Sequence, residues 1–263
     1  MSDGLLLYKK KVMRERLLKF TLQALLLVLF LVFWELGVAK GYLSGFIFSS
    51  PSKIAQLIVK MTKSGELFWH IWVTTYETVL GFTLGTLLGV LIAVILWLLP
   101  FLSQVLDPYL VVLNSIPKVA LGPIFIVWLG SGTTAIISMA LAISVIVTVM
   151  MVHTAFKETD ADKIKLMQSF GAKRNQILKK VVLPSSLPAI VGALKVNVGL
   201  SLVGIIVGEF LVSQAGLGFL IVYGGQVFQL SLVMASIIVL CLLSAIFYVL
   251  VALLERFLIQ NLR

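Results

Sequence analysis

Charge and cysteine are what this 263-residue chain has least of. Only 12% of its residues are charged, against about 25% in an ordinary soluble domain. Hydrophobic residues make up 60% of it, where about 45–50% is usual. That balance excludes a soluble globular domain and reads as one polytopic membrane domain. The single cysteine, Cys241, lies in an apolar run, which excludes an intrachain disulfide and a cysteine-based metal site. His70 and His153 stand far apart without neighbouring ligands, so neither a metal nor a cofactor is expected.

The charge that is present is lopsided, with a net value of +10. Such an excess invites a nucleic-acid reading. Fifteen of the 21 Lys and Arg residues, however, lie in or beside segments that read as cytoplasmic. They are explained as topology signals and contacts to anionic headgroups, and no nucleic-acid partner is expected.

A bilayer-crossing helix takes about 20 mostly apolar residues. Six runs qualify, at 18–39, 71–99, 105–128, 134–156, 187–211 and 230–254. The fold class is therefore an all-α membrane protein with six transmembrane helices spread over 18–256. Residues 1–17 form a basic cytoplasmic N-terminus and 257–263 a cytoplasmic tail, with both termini inside. A basic start ahead of an apolar run also resembles a secretion signal, but this run exceeds the roughly 7–15 residues of one. Between the first two spans, Pro51 opens an amphipathic helix with Ile54, Leu57, Ile58 and Met61 on one face. The four lysines of 40–70 run against the positive-inside bias.

Two spans carry local signals. Gly81, Gly85 and Gly89 form a doubled GxxxG, a smooth stripe for close helix packing. The run 105–128 contains Pro108, Pro117 and Pro123 and is interrupted by Lys118. Proline removes a donor and clashes with the preceding turn, so this span is expected to be kinked or broken. A loop rich in Gly and Gln, 213–229, leads to the last span.

The most informative stretch is a polar island, Lys157 to Pro188, with seven Lys and Arg residues between apolar runs. It cannot lie in hydrocarbon, and its charge places it in the cytoplasm. Ile164, Met167, Phe170, Arg174 and Ile177 recur at helical spacing, with Met167, Phe170 and Ile177 read as facing one way. A helix there is built to touch a soluble partner. Pro184 and Pro188 are expected to keep it from running into the fifth span.

Here the residues carry a resemblance. Gly171, nine residues, then Val181-Val182-Leu183-Pro184 resembles the EAA loop of ATP-binding-cassette importer permeases. The Glu-Ala-Ala positions read Lys165-Leu166-Met167, a departure from the pattern. Ile116-Pro117-Lys118-Val119-Ala120-Leu121-Gly122-Pro123, and Gly208-Glu209-Phe210 with Gly216-Leu217-Gly218, resemble the branch for nitrate, sulfonate, taurine and bicarbonate uptake.

The resemblance implies a type I importer, MetI-like permease fold in a bacterial cytoplasmic membrane. It implies partners too: cytoplasmic ATPase subunits, an extracytoplasmic solute-binding (lipo)protein, membrane lipid and a second permease copy. Coupling to the ATPase would fall to Lys165, Leu166, Met167, Phe170, Gly171, Ala172, Val181, Leu183 and Pro184. Candidates for the pathway are Asn114, Lys118, Asn197, Ser201 and Glu209. Lys118 could meet an anionic solute, pair with Glu209 or Asp107, or snorkel. Asn197, Ser201, Gly204 and Gly208 suit either contact with a second copy or a wet surface, the contact being favoured.

With no G-x-x-x-x-G-K-[ST] loop in the chain, ATP hydrolysis belongs to the partner and the chain is a transport subunit, not an enzyme. The solute is a small anion of the nitrate, sulfonate, taurine or bicarbonate kind, or alternatively a thiamine-precursor or riboflavin-like compound. An ion-coupled secondary transporter would need more acidic or histidine residues at depth than Glu77, Glu209 and Asp107.

Overall fold

The computed structural model describes residues 2–260, without the side chains of residues 2–7, 9, 10 and 258–260. The topological roles of Lys9, Lys10 and Arg263 lie outside the described residues. Helix α1 (Ser2–Ala39) is already helical well ahead of the expected span start at Leu18. Its apolar length is exposed, as suits a helix surrounded by lipid, whose own backbone satisfies every polar group. At its far end Glu35 accepts hydrogen bonds from Ser52 N at 3.0 Å and Ser52 Oγ at 2.7 Å.

After the short α2 (Gly45–Phe48), the amphipathic helix appears as α3 (Pro51–Ser64). Ser50 caps it by accepting from Lys53 N, and Pro51 fits the first turn, where its missing N–H has no partner to lose. Ile54 and Met61 are buried, while Lys53, Lys60 and Lys63 are exposed.

Three long helices make the centre: α4 (Glu66–Leu98), α7 (Thr133–Lys157) and α10 (Leu183–Val212). Gly81, Gly85 and Gly89 of α4 lie against Ala140, Ser144 and Thr148 of α7. A Cβ on Gly89 would come within 2.5 Å of Thr148 Cβ. From the other side, Gly204 and Gly208 of α10 lie on the backbones of Ala140 and Ile136, at 2.5 and 2.9 Å from such a Cβ. Lipid gives helices no hydrophobic drive to associate, so contact of this closeness carries the packing. The stripe expected to meet a second copy is thus spent within one chain: Gly204 and Gly208 on α7, and Asn197 on Thr86 of α4.

The proline-rich span is broken. Helix α5 (Pro100–Ser115) is followed by a 3-10 turn (Lys118–Leu121) and α6 (Gly122–Leu129), and the two arms meet at 89°. Ile116 is extended at the break, the conformation a following proline imposes. The remaining α5 proline, Pro108, is tolerated inside the helix. Among the described residues five helices are long and apolar enough to cross a membrane, six with this bent pair as one span.

Two expectations are corrected. The island folds as α8 (Ala161–Ser169) and α9 (Arg174–Ile177), and α9 does run into the fifth span. A π-helical turn, Leu178–Val182, leads directly into α10, giving one helical path from Arg174 to Val212. The wider turn accommodates Pro184, which lacks a donor, and Ser185 Oγ bonds back to Val182 O at 3.2 Å. Pro188 is likewise carried inside the helix. The second correction is α11 (Leu217–Gln226), where a loop was expected. It packs on the last helix, α12 (Leu230–Gln260), through buried Leu217 and Leu220. Lys195 of α10 pairs with Glu255 of α12, so the lysine within the fifth span has its counter-charge.

Candidate functional site

The island folds by dividing its side chains between two faces. Asp160 caps α8 by accepting from Asp162 N at 2.9 Å. Ile164, Met167, Ala172, Val181 and Leu183 turn inward against a core of Trp97, Phe156, Ile177, Leu178 and Val182. Leu166 and Phe170 turn outward, and Phe170 is 77% exposed. Met167 and Ile177 therefore do not share a face with Phe170, because the helix ends before it. Phe170 is the residue at that end, followed by Gly171 at φ +76°.

In that left-handed turn Gly171 N donates to Gln168 O at 2.9 Å and Ala172 N to Met167 O at 3.0 Å. A Cβ at Gly171 would meet nothing within 4 Å, so the backbone conformation alone calls for glycine. Lys165 is exposed, loosely paired with Asp162 at 3.4 Å, and Pro184 is exposed as well. Arg174 ties the segment down: its guanidinium lies 4.7 Å from the Trp97 ring centroid and donates to Trp97 O.

At the opposite end of the bundle α4, α10 and α11 share a buried polar knot. Thr74 Oγ1 donates to Glu209 Oε1 at 2.6 Å and accepts from Leu217 N at 2.8 Å. Gly218 N donates to Glu209 Oε2, and Gly216 N donates to His70 Nδ1 at 3.0 Å. Glu209 is 1% exposed, and a Cβ on Gly216 or Gly218 would overlap it. Burial of a carboxyl is tolerated only when hydrogen-bonded, and this one is. The first turn of α11 thus closes over Glu209.

Beside the knot is a cavity of about 550 Å³. Trp69, Trp72, Tyr76 and Glu77 line it from α4, Thr133 from the start of α7, and Gln214 from the turn after α10. None of the five residues expected in the pathway is in its wall. Asn197 is buried and donates to Thr86 Oγ1 at 2.9 Å, and Ser201 is buried with them. Lys118 sits at the elbow of the bent pair, where its Nζ donates to Asn114 O at 2.7 Å and lies 3.3 Å from Asn114 Oδ1. It pairs with neither expected acid: Asp107 is 2.6 Å from Lys157, and Glu209 is held in the knot.

Sequence reasoning missed the cavity. Trp69, Trp72 and Tyr76 recur at i, i+3 and i+7 just before Glu77, a pattern that signals an aromatic face beside an acid.

Residues 85–262 match the family model described as the binding-protein-dependent transport system inner membrane component. The chain belongs to this family. As an ABC transporter permease it is a membrane transport subunit and not an enzyme. This permease is 36% identical, over 89% of its length and 87% of the relative's, to the riboflavin transport system permease protein RibX of Chloroflexus aurantiacus. It is 28% identical, over 90% and 86%, to a putative aliphatic sulfonates transport permease protein SsuC of Bacillus subtilis. Among solved structures, the MetNI methionine ABC transporter in an inward-facing conformation superposes with a TM-score of 0.62 at 22% identity, over 70% of this permease and 92% of that chain. That likeness shows the MetI-like fold.

Proposed function

We propose that this permease is the translocating half of an importer in a bacterial cytoplasmic membrane. Separate cytoplasmic ATPase subunits drive it, and an extracytoplasmic binding protein delivers the solute. Two copies of the chain form the pathway, with lipid around them. Both termini and the 157–186 loop face the cytoplasm, and the aromatic cavity opens to the other side.

The observation that carries this reading is the outward-turned Phe170 beside Gly171, just ahead of the helical path that runs from Arg174 to Val212. An aromatic 77% exposed at the tip of a charged loop has no use inside this chain. A partner's groove gives it one, and exposed aromatic side chains are characteristic anchors of such interfaces. Leu166, Lys165 and Pro184 are exposed as well, while Met167, Ala172, Val181 and Leu183 pack inward.

The test is co-purification of the ATPase subunit with Gly171→Leu. A bulky residue in the left-handed region costs about 1–2 kcal/mol and displaces Phe170. The expected outcome is loss of bound ATPase with normal insertion of the permease. Wild-type yield of complex with wild-type ATP hydrolysis would refute the docking.

The solute reading has two branches. The relative named for aliphatic sulfonates supports an anion, and the one named for riboflavin supports a heteroaromatic compound. ATP-dependent uptake of each class by vesicles holding the complete system separates them.

A further inference from the structure

At the end of the bundle opposite the island there is a second recess, of about 660 Å³, which shares no residue with the aromatic cavity. Lys53, Gln56 and Lys60, one face of α3 at i, i+3 and i+7, form one wall. Phe46 of α2 and Phe228, in the turn between α11 and α12, form another. Their rings are stacked, 23° apart with centroids 6.4 Å from each other, and the two residues are 63% and 70% exposed. No Asp or Glu lines the recess.

The backbone around it is strained. Among the described residues two that are not glycine have positive φ, Ser49 at +52° and Phe228 at +57°. Phe228 lines the recess, and Ser49 Oγ is 2.8 Å from the hydroxyl of Ser231, which lines it too. Phe228 is the left-handed residue that ends α11. Its N–H donates to Gly225 O at 3.3 Å, and Gln229 N donates to Gly224 O at 2.8 Å. Glycine is usual at that position, because a Cβ in the left-handed region crowds the backbone. A phenylalanine held there and left exposed costs stability and returns little packing within the chain.

The charge beside it is unspent. Lys53, Lys60 and Lys63 form no ion pair among the described residues, and Glu35 is taken up by Ser52. The apolar face of α3 is used inside the bundle, where Ile54 and Met61 are buried and Leu57 and Ile58 pack on the core. On the topology proposed above, these lysines face the extracytoplasmic side, against the positive-inside bias and away from the strongly anionic leaflet. A fluid headgroup layer gains nothing from a ring fixed in one strained position. A partner with a matching surface does, because the ring is already ordered when it arrives.

We propose that this recess is a docking site for the extracytoplasmic binding protein, which sets carboxylates against Lys53 and Lys60 and an apolar side chain against Phe46 and Phe228. The inference rests on the permease reading above and gives its extracytoplasmic partner a defined surface on this chain.

The test uses the complete complex, permease with its ATPase, in phosphatidylcholine nanodiscs. The probe is the binding protein of the same importer, recognised by its stimulation of ATP hydrolysis, and the readout is its half-saturating concentration. The double change Lys53→Glu with Lys60→Glu is expected to raise that concentration about tenfold. In the wild type it should rise with salt, and less steeply in the double variant. Phe228→Gly relieves the left-handed turn, so it should raise the half-saturating concentration about fivefold with no loss of thermal stability.

Wild-type half-saturation in both variants would overturn the surface and leave the permease reading standing. An importer stimulated by no binding protein would overturn both. A fall in thermal stability in Phe228→Gly would make the ring a structural plug and overturn its part in docking. An effect of the lysine changes that appears in phosphatidylglycerol nanodiscs and vanishes in phosphatidylcholine would assign the recess to lipid headgroups instead, and so overturn the proposal.

Discussion

Arg174 lies over the indole of Trp97, its guanidinium 4.7 Å from the ring centroid and its Nε 3.1 Å from the Trp97 carbonyl. One side chain thus joins the island to the end of α4 by its flat face and its edge together. Lysine cannot do both, because an ammonium has no plane to stack and no fork to donate. A stacked cation of this kind is worth about 0.5–2 kcal/mol. Arg174→Lys and Arg174→Ala should both speed chymotryptic cleavage at Phe170 about fivefold. A wild-type rate in the lysine variant would reduce the contact to charge alone.

The glycine contacts of α7 differ in kind, and the difference is measurable. A Cβ on Gly81 meets the Ala140 methyl at 2.9 Å, whereas one on Gly204 meets the Ala140 backbone at 2.5 Å. Gly81→Ala and Gly204→Ala should each cost about 1–3 kcal/mol through overpacking. Ala140→Gly should restore the thermal midpoint of Gly81→Ala and fail to restore that of Gly204→Ala, because backbone cannot be trimmed. Equal rescue of both would contradict this packing.

Thr74 serves two partners with one hydroxyl, donating to Glu209 and accepting from Leu217 N. Thr74→Val keeps the shape and strands both, at about 1–3 kcal/mol for each buried orphan. Amide exchange in the first turn of α11, residues 216–220, should rise tenfold or more. Thr74→Ser, which retains the hydroxyl, should exchange like the wild type.

Phe170 and Met167 sit three residues apart on opposite faces of the island. Phe170→Ala removes only exposed surface and should lower ATPase co-purification with the melting temperature unchanged. Met167→Ala removes packing beneath and should lower the melting temperature by several degrees, for a loss of about 1–2 kcal/mol. The reverse pattern would mean that Met167 is the docking residue.

The long apolar runs made the membrane fold and most spans readable, because lipid demands length and hydrophobicity before anything else. Pro117 likewise announced the break in the third span. Pro184 and Pro188 misled, since a π turn and a serine hydroxyl let a helix carry them, and neither device has a pattern visible in advance. Helix α11 was missed because its glycines argue against a helix. Their reason is tertiary: Gly216 and Gly218 are small so that Glu209 fits under them. The glycine stripes were legible as close packing but silent about the partner, since contact within one chain and contact between two copies use the same residues. Glu77 stood out as an acid at depth, yet its aromatic wall emerged only when three turns of α4 were stacked in space.

The unbroken path from Arg174 to Val212 spans 39 residues, about 58 Å at 1.5 Å per residue. A beam of that length amplifies: tilting one end by about 5° sweeps the other through roughly 5 Å. Gly204 and Gly208 hold the beam against the backbone of α7, so its longer arm is the one that ends at Arg174. Glu209 is the next residue along, so α11 and the mouth of the aromatic cavity would ride on the far arm. A force applied at residues 174–178 therefore needs no relay of side chains to reach them, since the backbone itself is the linkage.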